Sequence, residues 1–505
     1  MNRRVITALV AGSLCLLAGC TSNASNPSNT SASENTETTK TSITAVTPIV
    51  TGYEWGPAVS SVIIELDEPV SSIDSSKAAI RTNQNERTIS NAVLVDESGK
   101  ETTDKSQFIR LDLETNREQG STPFISDIME LIQNPWVQEY PIEISLDKET
   151  ADPVELDGAK NFKAPQLVAF TQQKTSTVSC LNPKTQENQE FSLNYRAYEP
   201  DALKNDEAKN PLIIWLHGLG EGGMNTDNTL LDNEVTALTT DEIQSQFTSE
   251  GGNNGAYLLT VQTPTFWMDE GDGIYAQGDM DSCYLEPLME TIDHYLEENP
   301  DIGPSRLYLG DCSNGGYMTM DMAVTYPDRF AALFPICPCY SYTTIEKDAD
   351  GNYVLNSDEV TEDGIADYKF SDERWFTDEK AASLKDTPVW MVFSANDQTV
   401  KPDRYEIPVY QAILNAGNEN AWLSCYDQVR GTDDPEAEYP GHYVWIHFFN
   451  NQIGQVQDAK AIKDNQQALE PSQTLEPSQN GGSQTVSNNG NEYSSIFEGM
   501  NAQKR

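Results

Sequence analysis

An α/β protein, in which a mostly parallel sheet is flanked by helices and preceded by an all-β sandwich, is the fold class this sequence predicts. Three observations carry the prediction. Residues 211–216 (P-L-I-I-W-L) and 388–394 (P-V-W-M-V-F-S) are short, nearly continuous apolar runs, the mark of strands covered on both faces in a parallel sheet. Residues 306–319 (R-L-Y-L-G-D-C-S-N-G-G-Y-M-T) read as a strand, a sharp turn and a helix. Residues 48–170 instead alternate polar and apolar in short pieces such as S-S-V-I-I-E-L and N-A-V-L-V. Turn-formers such as Asp-Glu-Pro separate them, as in a β-sandwich.

The chain begins with Asn2, Arg3 and Arg4 as a basic head, an apolar core over 5–17, and L-A-G-C over 17–20. The core is too short to span a bilayer permanently, so a cleaved signal is expected over 1–20. It resembles a bacterial lipoprotein signal. That resemblance implies lipidation of Cys20, which becomes the mature N-terminus, and an extracytoplasmic protein lipid-anchored to the bacterial cell membrane. Residues 21–47 are rich in Ser, Thr and Asn and cannot bury a core, so they read as a disordered tether. The sandwich follows over 48–170 and the α/β domain over 171–455. Residues 456–505 are polar, carry L-E-P-S-Q twice, and read as a disordered low-complexity tail.

The strand-turn-helix at 306–319 places Ser313 at its apex, with Gly315 and Gly316 removing side chains that would hold helix from strand. This is the form of the nucleophile elbow of an α/β-hydrolase, G-x-S-x-G. Asp311 occupies the place of the first glycine, and Gly310 comes one residue earlier, so a shifted register with Cys312 as nucleophile is an alternative. That register would put Asn314 where the second glycine belongs, and the steric needs of the turn favour Ser313.

Such an elbow calls for an acid and then a histidine downstream. The strand at 388–394 delivers Asn396 and Asp397 to its C-terminal end, where catalytic groups collect, so Asp397 is the candidate acid and Asp403 the fallback. His442 follows the chain-breaking Pro440-Gly441, a loop position from which a base can reach a serine. His447 lies in an apolar run and His294 in an amphipathic segment, both expected to be structural. After the strand at 211–216 comes H-G-L-G-E-G-G. The N–H groups of Leu219, or Gly218, and of Asn314 are the expected oxyanion donors, with His217 anchoring the loop. Trp267, followed by Met268 and Asp269, is the candidate substrate-binding residue.

From about residue 191 to 452 the chain resembles secreted polyhydroxybutyrate depolymerase-like and feruloyl-type esterases, also described as prolyl oligopeptidase-like predicted peptidases. The matching pieces are N-Y-R-A-Y-E-P, W-L-H-G-L-G-E-G-G, S-N-G-G-Y-M-T, V-F-S-A-N-D and G-H-Y-V-W. The opening T-G-Y-E-W-G-P-A-V-S-S-V-I resembles the immunoglobulin-like domain found before the hydrolase in some bacterial esterases. The resemblance implies an α/β-hydrolase fold preceded by an all-β immunoglobulin-like sandwich, with Ser313 as nucleophile, Asp397 as acid and His442 as base. It implies hydrolysis of a small-molecule or polymer ester through an acyl-enzyme. A peptidase with the same triad and a non-catalytic surface-binding lipoprotein are the alternatives.

The formal charge of −47, from 32 basic and 79 acidic residues, argues against nucleic acid as a partner. Residues 348–352 (D-A-D-G-N) have their glycine too early for a calcium loop and read as a tight turn. No metal and no cofactor is expected. The six cysteines beyond Cys20 in the mature chain lack zinc-binding spacing, and their pairing cannot be read from sequence.

Overall fold

The computed structural model describes residues 41–117, 122–124, 135–147, 151–204, 208–360, 366–464 and 475–505. The signal, Cys20 and the tether up to residue 40 lie outside the described residues.

Alternation of apolar and polar residues sends one face of each N-terminal strand inward. The strands are β1 (Ile43–Tyr53), β2 (Gly56–Val70), β3 (Ala79–Thr82), β4 (Asn85–Arg87), β5 (Ile89–Val95), β6 (Ser106–Leu113), β7 (Pro141–Ser145) and β8 (Val154–Asp157). They form two four-stranded sheets, ordered β1-β2-β6-β5 and β4-β3-β7-β8. Val50, Val62, Ile64 and Ile109 from the first sheet meet Ile80, Ile142 and Ile144 from the second in one core. Leu231, from far along the chain, is fully buried in that same core. The first strand starts inside the stretch read as a tether. Ile43 already pairs with Leu66, and burial alternates from Val46, because three apolar residues at 43, 45 and 46 outweigh the local Thr content.

The second domain is built on β9 (Gln172–Leu181), β10 (Asn188–Tyr198), β11 (Asn210–Leu216), β12 (Tyr257–Gln262), β13 (Ile302–Cys312) and β14 (Ala332–Ile336). An insertion follows with two small antiparallel pairs, β15 (Thr343–Ile345) with β18 (Phe370–Arg374) and β16 (Leu355–Val360) with β17 (Ala366–Tyr368). Two more strands, β19 (Val389–Ser394) and β20 (Ala421–Tyr426), complete an eight-stranded sheet ordered β20-β19-β14-β13-β11-β12-β10-β9. Its strands are parallel except at the β9, β10 edge. Every residue of β11 and of β19 is buried, as their unbroken apolar runs require. In the insertion, Asp348 accepts hydrogen bonds from the Asp350 and Asn352 N–H groups around Gly351, closing the tight turn expected there.

The expected disordered tail is corrected by the structure. From Leu475 the chain is ordered, with strands Gln484–Asn488 and Asn491–Tyr493 and a helix Ile496–Asn501. Ile496, Phe497 and Met500 are buried against the core of the second domain beside Trp390 and Phe448. Low average hydropathy concealed three apolar residues at helical spacing, behind Ser495, whose hydroxyl caps the helix by accepting from the Glu498 N–H. The first L-E-P-S-Q copy falls outside the described residues.

Candidate active site

Strand β13 ends at Cys312 and helix α1 (Asn314–Thr325) begins two residues on, leaving Ser313 between them at φ 55° and ψ −111°. A non-glycine residue held there stores backbone strain, which its surroundings must over-determine. The Ser313 N–H donates to Ile336 O at 2.9 Å, and its carbonyl accepts from the Tyr317 and Cys339 N–H groups. A Cβ at Gly315 would lie 2.5 Å from Leu216 O, and one at Gly316 would lie 2.6 Å from Pro338 Cα, so the helix can meet the sheet only with glycines there. Cys312 is fully buried in the last turn of the strand, its Sγ 3.7 Å from Asn233 Nδ2.

Asp311, in the glycine's usual place, is fully buried beneath the elbow, and burial pushes its carboxyl well above the usual range. Its Oδ1 faces the Ile336 N–H at 3.5 Å, and its side chain fills the space under the helix. Asp311→Asn keeps the shape of this side chain and an acceptor oxygen for Ile336, so kcat/KM is expected to change by less than about threefold and stability by about 1 kcal/mol at most. Steady-state kinetics and a thermal melt check both.

His442 Nε2 lies 2.9 Å from Ser313 Oγ, and His442 Nδ1 lies 2.8 Å from Asp397 Oδ2. The other Asp397 oxygen accepts from the Thr399 and Val400 N–H groups at 2.8 and 2.9 Å, which fixes the carboxylate. An acceptor at Nδ1 keeps the ring proton there and leaves Nε2 to accept from the serine hydroxyl. Cys337 donates its thiol to His442 O at 3.3 Å, and Cys339 Sγ lies 3.6 Å from Ser313 Oγ. These cysteines, with Cys180, Cys283, Cys312 and Cys425, are buried and unbonded to one another. Asp403 pairs instead with Arg404. His447 is buried against Tyr426 and bonded to Gln452, while His294 is exposed near Glu290.

The loop after β11 is braced from two sides. Thr263 N–H donates to His217 Nε2, so His217 Nδ1–H donates to Gly218 O at 2.6 Å, and burial lowers the imidazole pKa to about 4. Gly218 N–H donates to Glu221 Oε2 at 2.7 Å, and Asn233 Nδ2 donates to the same oxygen at 2.9 Å. Burial raises the Glu221 carboxyl well above its ordinary range. The Gly218 N–H is thus spent on the brace, while Leu219 lines the same cavity as Ser313 and Asn314 follows the serine as the first residue of the helix. Trp267 departs from expectation. Its side chain is fully buried in the core, near His217 and Tyr284, and it is the Trp267 backbone N–H that reaches the elbow, donating to Asn314 Oδ1 at 2.7 Å. A position just after a strand does not reveal which way a large ring turns. Met268 does border the site, whereas Asp269 is spent on its own loop, accepting from the Gly271 and Gly273 N–H groups.

Ser313 and His442 open onto a cavity of about 320 Å³ that Leu219, Tyr275, Trp445 and Trp55 also line. Trp55 belongs to the sandwich, and no sequence signal pointed to it. Close by, the carboxylates of Glu54, Glu234 and Asp433 converge within 4.8 Å. Glu54 already accepts from Thr432 and Asn450. Burial, then Asp433 and Glu54, push Glu234 up to about 8 from its ordinary 4.5. The folded protein therefore holds a proton that the unfolded chain releases, and this contribution to stability is present below pH 4.5 and lost as pH rises through about 8. The melting temperature of Glu234→Gln is expected to lack that part of the decline, as scans at pH 5, 6.5 and 8.5 would read.

Residues 45–180 match the model of the esterase Ig-like N-terminal domain, and residues 267–428 match that of the prolyl oligopeptidase family. A crystal structure of a thermostable esterase superposes with a TM-score of 0.55 at 18% identity, covering 81% of this chain and 97% of that one. The chain thus joins a segment similar to an esterase Ig-like domain to one similar to the prolyl oligopeptidase family, on the fold of that esterase. It is also 39% identical over 70 residues to poly(3-hydroxyalkanoate) depolymerase C of Paucimonas lemoignei. That match covers 14% of this chain and only 16% of the depolymerase. A ferulic acid esterase aligns over 55% of this chain and 97% of its own length, with 18% identity and a TM-score of 0.34. The prolyl oligopeptidase match includes Ser313 and Asp397 but stops short of His442, whose assignment rests on geometry.

Proposed function

We propose that the protein is an extracytoplasmic serine esterase that cleaves carboxylic esters through an acyl-enzyme. The observation that carries this reading is the unbroken hydrogen-bonded line from Asp397 through His442 to Ser313, whose serine stands on a strained elbow at a cavity. As Ser313 Oγ attacks the carbonyl carbon, His442 Nε2 takes its proton and Asp397 stabilises the imidazolium. The Leu219 and Asn314 N–H groups receive the negative charge that forms on the carbonyl oxygen. Collapse expels the alcohol, which leaves with the proton from His442. Water, deprotonated in turn by His442, then attacks the acyl carbon and frees the acid and Ser313.

The aromatic lining and the stretch similar to a polyester depolymerase support a small-molecule or polymer ester as substrate. Lipidation at Cys20 would hold the enzyme at the outer side of the cell membrane. The test is turnover of p-nitrophenyl acetate and butyrate together with labelling by a fluorophosphonate probe. Label on Ser313 with ester turnover supports the reading, peptide cleavage without ester turnover moves it to a peptidase, and absence of both sinks it. For the anchor, Cys20→Ala should move the protein from the membrane fraction to the soluble one.

A further inference from the structure

The turn between β1 and β2 consists of Glu54 and Trp55 alone, and it reaches out of the sandwich into the hydrolase. Glu54, 3% exposed, is its anchor. Its carboxylate accepts from the N–H and hydroxyl of Thr432, from Asn450 Nδ2 and from the Asp433 N–H. The fit is close enough that a Cβ on Gly431 would lie 1.7 Å from Glu54 Oε2. Trp55 is treated differently by its surroundings. It is only partly buried, stacked on Tyr53 at 4.8 Å and 5°, and packed at the edge of the hydrolase core. It lines the cavity that holds Ser313 and His442, as do Tyr443 and Trp445, themselves stacked at 4.8 Å. Among the described residues of that lining there is no Lys or Arg, while Glu54, next in the chain, and Asp232, near Gly56, are part of it.

We propose that Trp55 is a specificity-determining residue, supplied by the immunoglobulin-like domain, that holds a planar, uncharged group of the substrate while Ser313 acts on the ester bond. The proposal rests on the esterase reading and adds to it the class of group bound. A rigid aromatic face offers a large contact area and few rotamers to freeze, and the neighbouring carboxylates repel an anion. Glu54 acts through Trp55, as a positioning residue that locks the turn against the hydrolase.

The test separates binding from turnover. In a Ser313→Ala background, the Kd for 2-naphthyl acetate is read by titration calorimetry. Adding Trp55→Ala is expected to raise it about fivefold to tenfold, the loss of one aromatic contact, and Trp55→Phe to restore most of it. Trp55→Leu, which keeps apolar bulk without a ring, should show the same weakening if the alanine variant folds poorly. With Ser313 present, the kcat/KM ratio of 2-naphthyl acetate to ethyl acetate should fall by a similar factor in Trp55→Ala, and also in Glu54→Ala. An unchanged Kd in folded Trp55→Ala and Trp55→Leu overturns the proposal whatever the turnover. A weakened Kd in a protein that turns over no ester keeps the subsite and overturns the esterase reading alone.

Discussion

Ser313→Ala is expected to lower kcat on p-nitrophenyl butyrate by roughly ten-thousand-fold to a million-fold, with KM changed little. The substitution removes the attacking oxygen yet leaves the Leu219 and Asn314 N–H groups and the cavity walls in place. What survives is the smaller acceleration that binding and oxyanion stabilisation give to attack by water. Backbone strain at φ 55° is unchanged, since alanine meets the same Cβ restriction as serine, so the variant should fold. Cys312→Ala is the contrasting control. Its thiol is fully buried and faces Asn233, so kcat should stay within a few-fold. A large loss with Cys312→Ala and none with Ser313→Ala would transfer the nucleophile to the cysteine.

Deleting residues 475–505 is expected to cost the native fold. Ile496, Phe497 and Met500 are all at or below 2% exposure, and each large-to-small loss in a core typically costs about 2 to 5 kcal/mol. Their sum reaches the whole stability of an ordinary domain, about 5 to 15 kcal/mol. The segment also satisfies buried polar groups, since Arg306 donates to the Asn501 carbonyl and Oδ1, and Tyr308 to the Asn501 and Gln503 carbonyls. The single change Phe497→Ala should lower stability by about 3 to 5 kcal/mol in a urea titration. A shortened protein that melts at the full-length temperature would show that the segment adds nothing to the core.

The parts of the site that could be read in the sequence are those where backbone form and chemistry coincide. Ser313 sits between a strand and paired glycines, Asp397 at the end of an apolar run, and His442 just past Pro440-Gly441. Their chain order then limits the choices further. Side-chain direction was not legible, and Trp267 turned into the core while Met268 turned to the cavity. Nor was contact between domains, since Trp55 lies 258 residues from Ser313 by their numbers and no local pattern links them. The tail failed for a different reason. Composition averages over a segment, whereas burial of three residues on one helix face decides whether it docks.

The presence of Leu231 in the sandwich core bears on how such a chain can change over generations. Trp136 of the sandwich donates to Asp227, four residues before Leu231, and Glu54 is seated in the loop at Gly431. Each half thus keeps part of its interior in the other. Recombination that joined this front domain to a foreign catalytic half would leave a hole where Leu231 belongs and an uncompensated carboxylate at Glu54. A substitution at one of these crossing points is therefore felt in both halves at once.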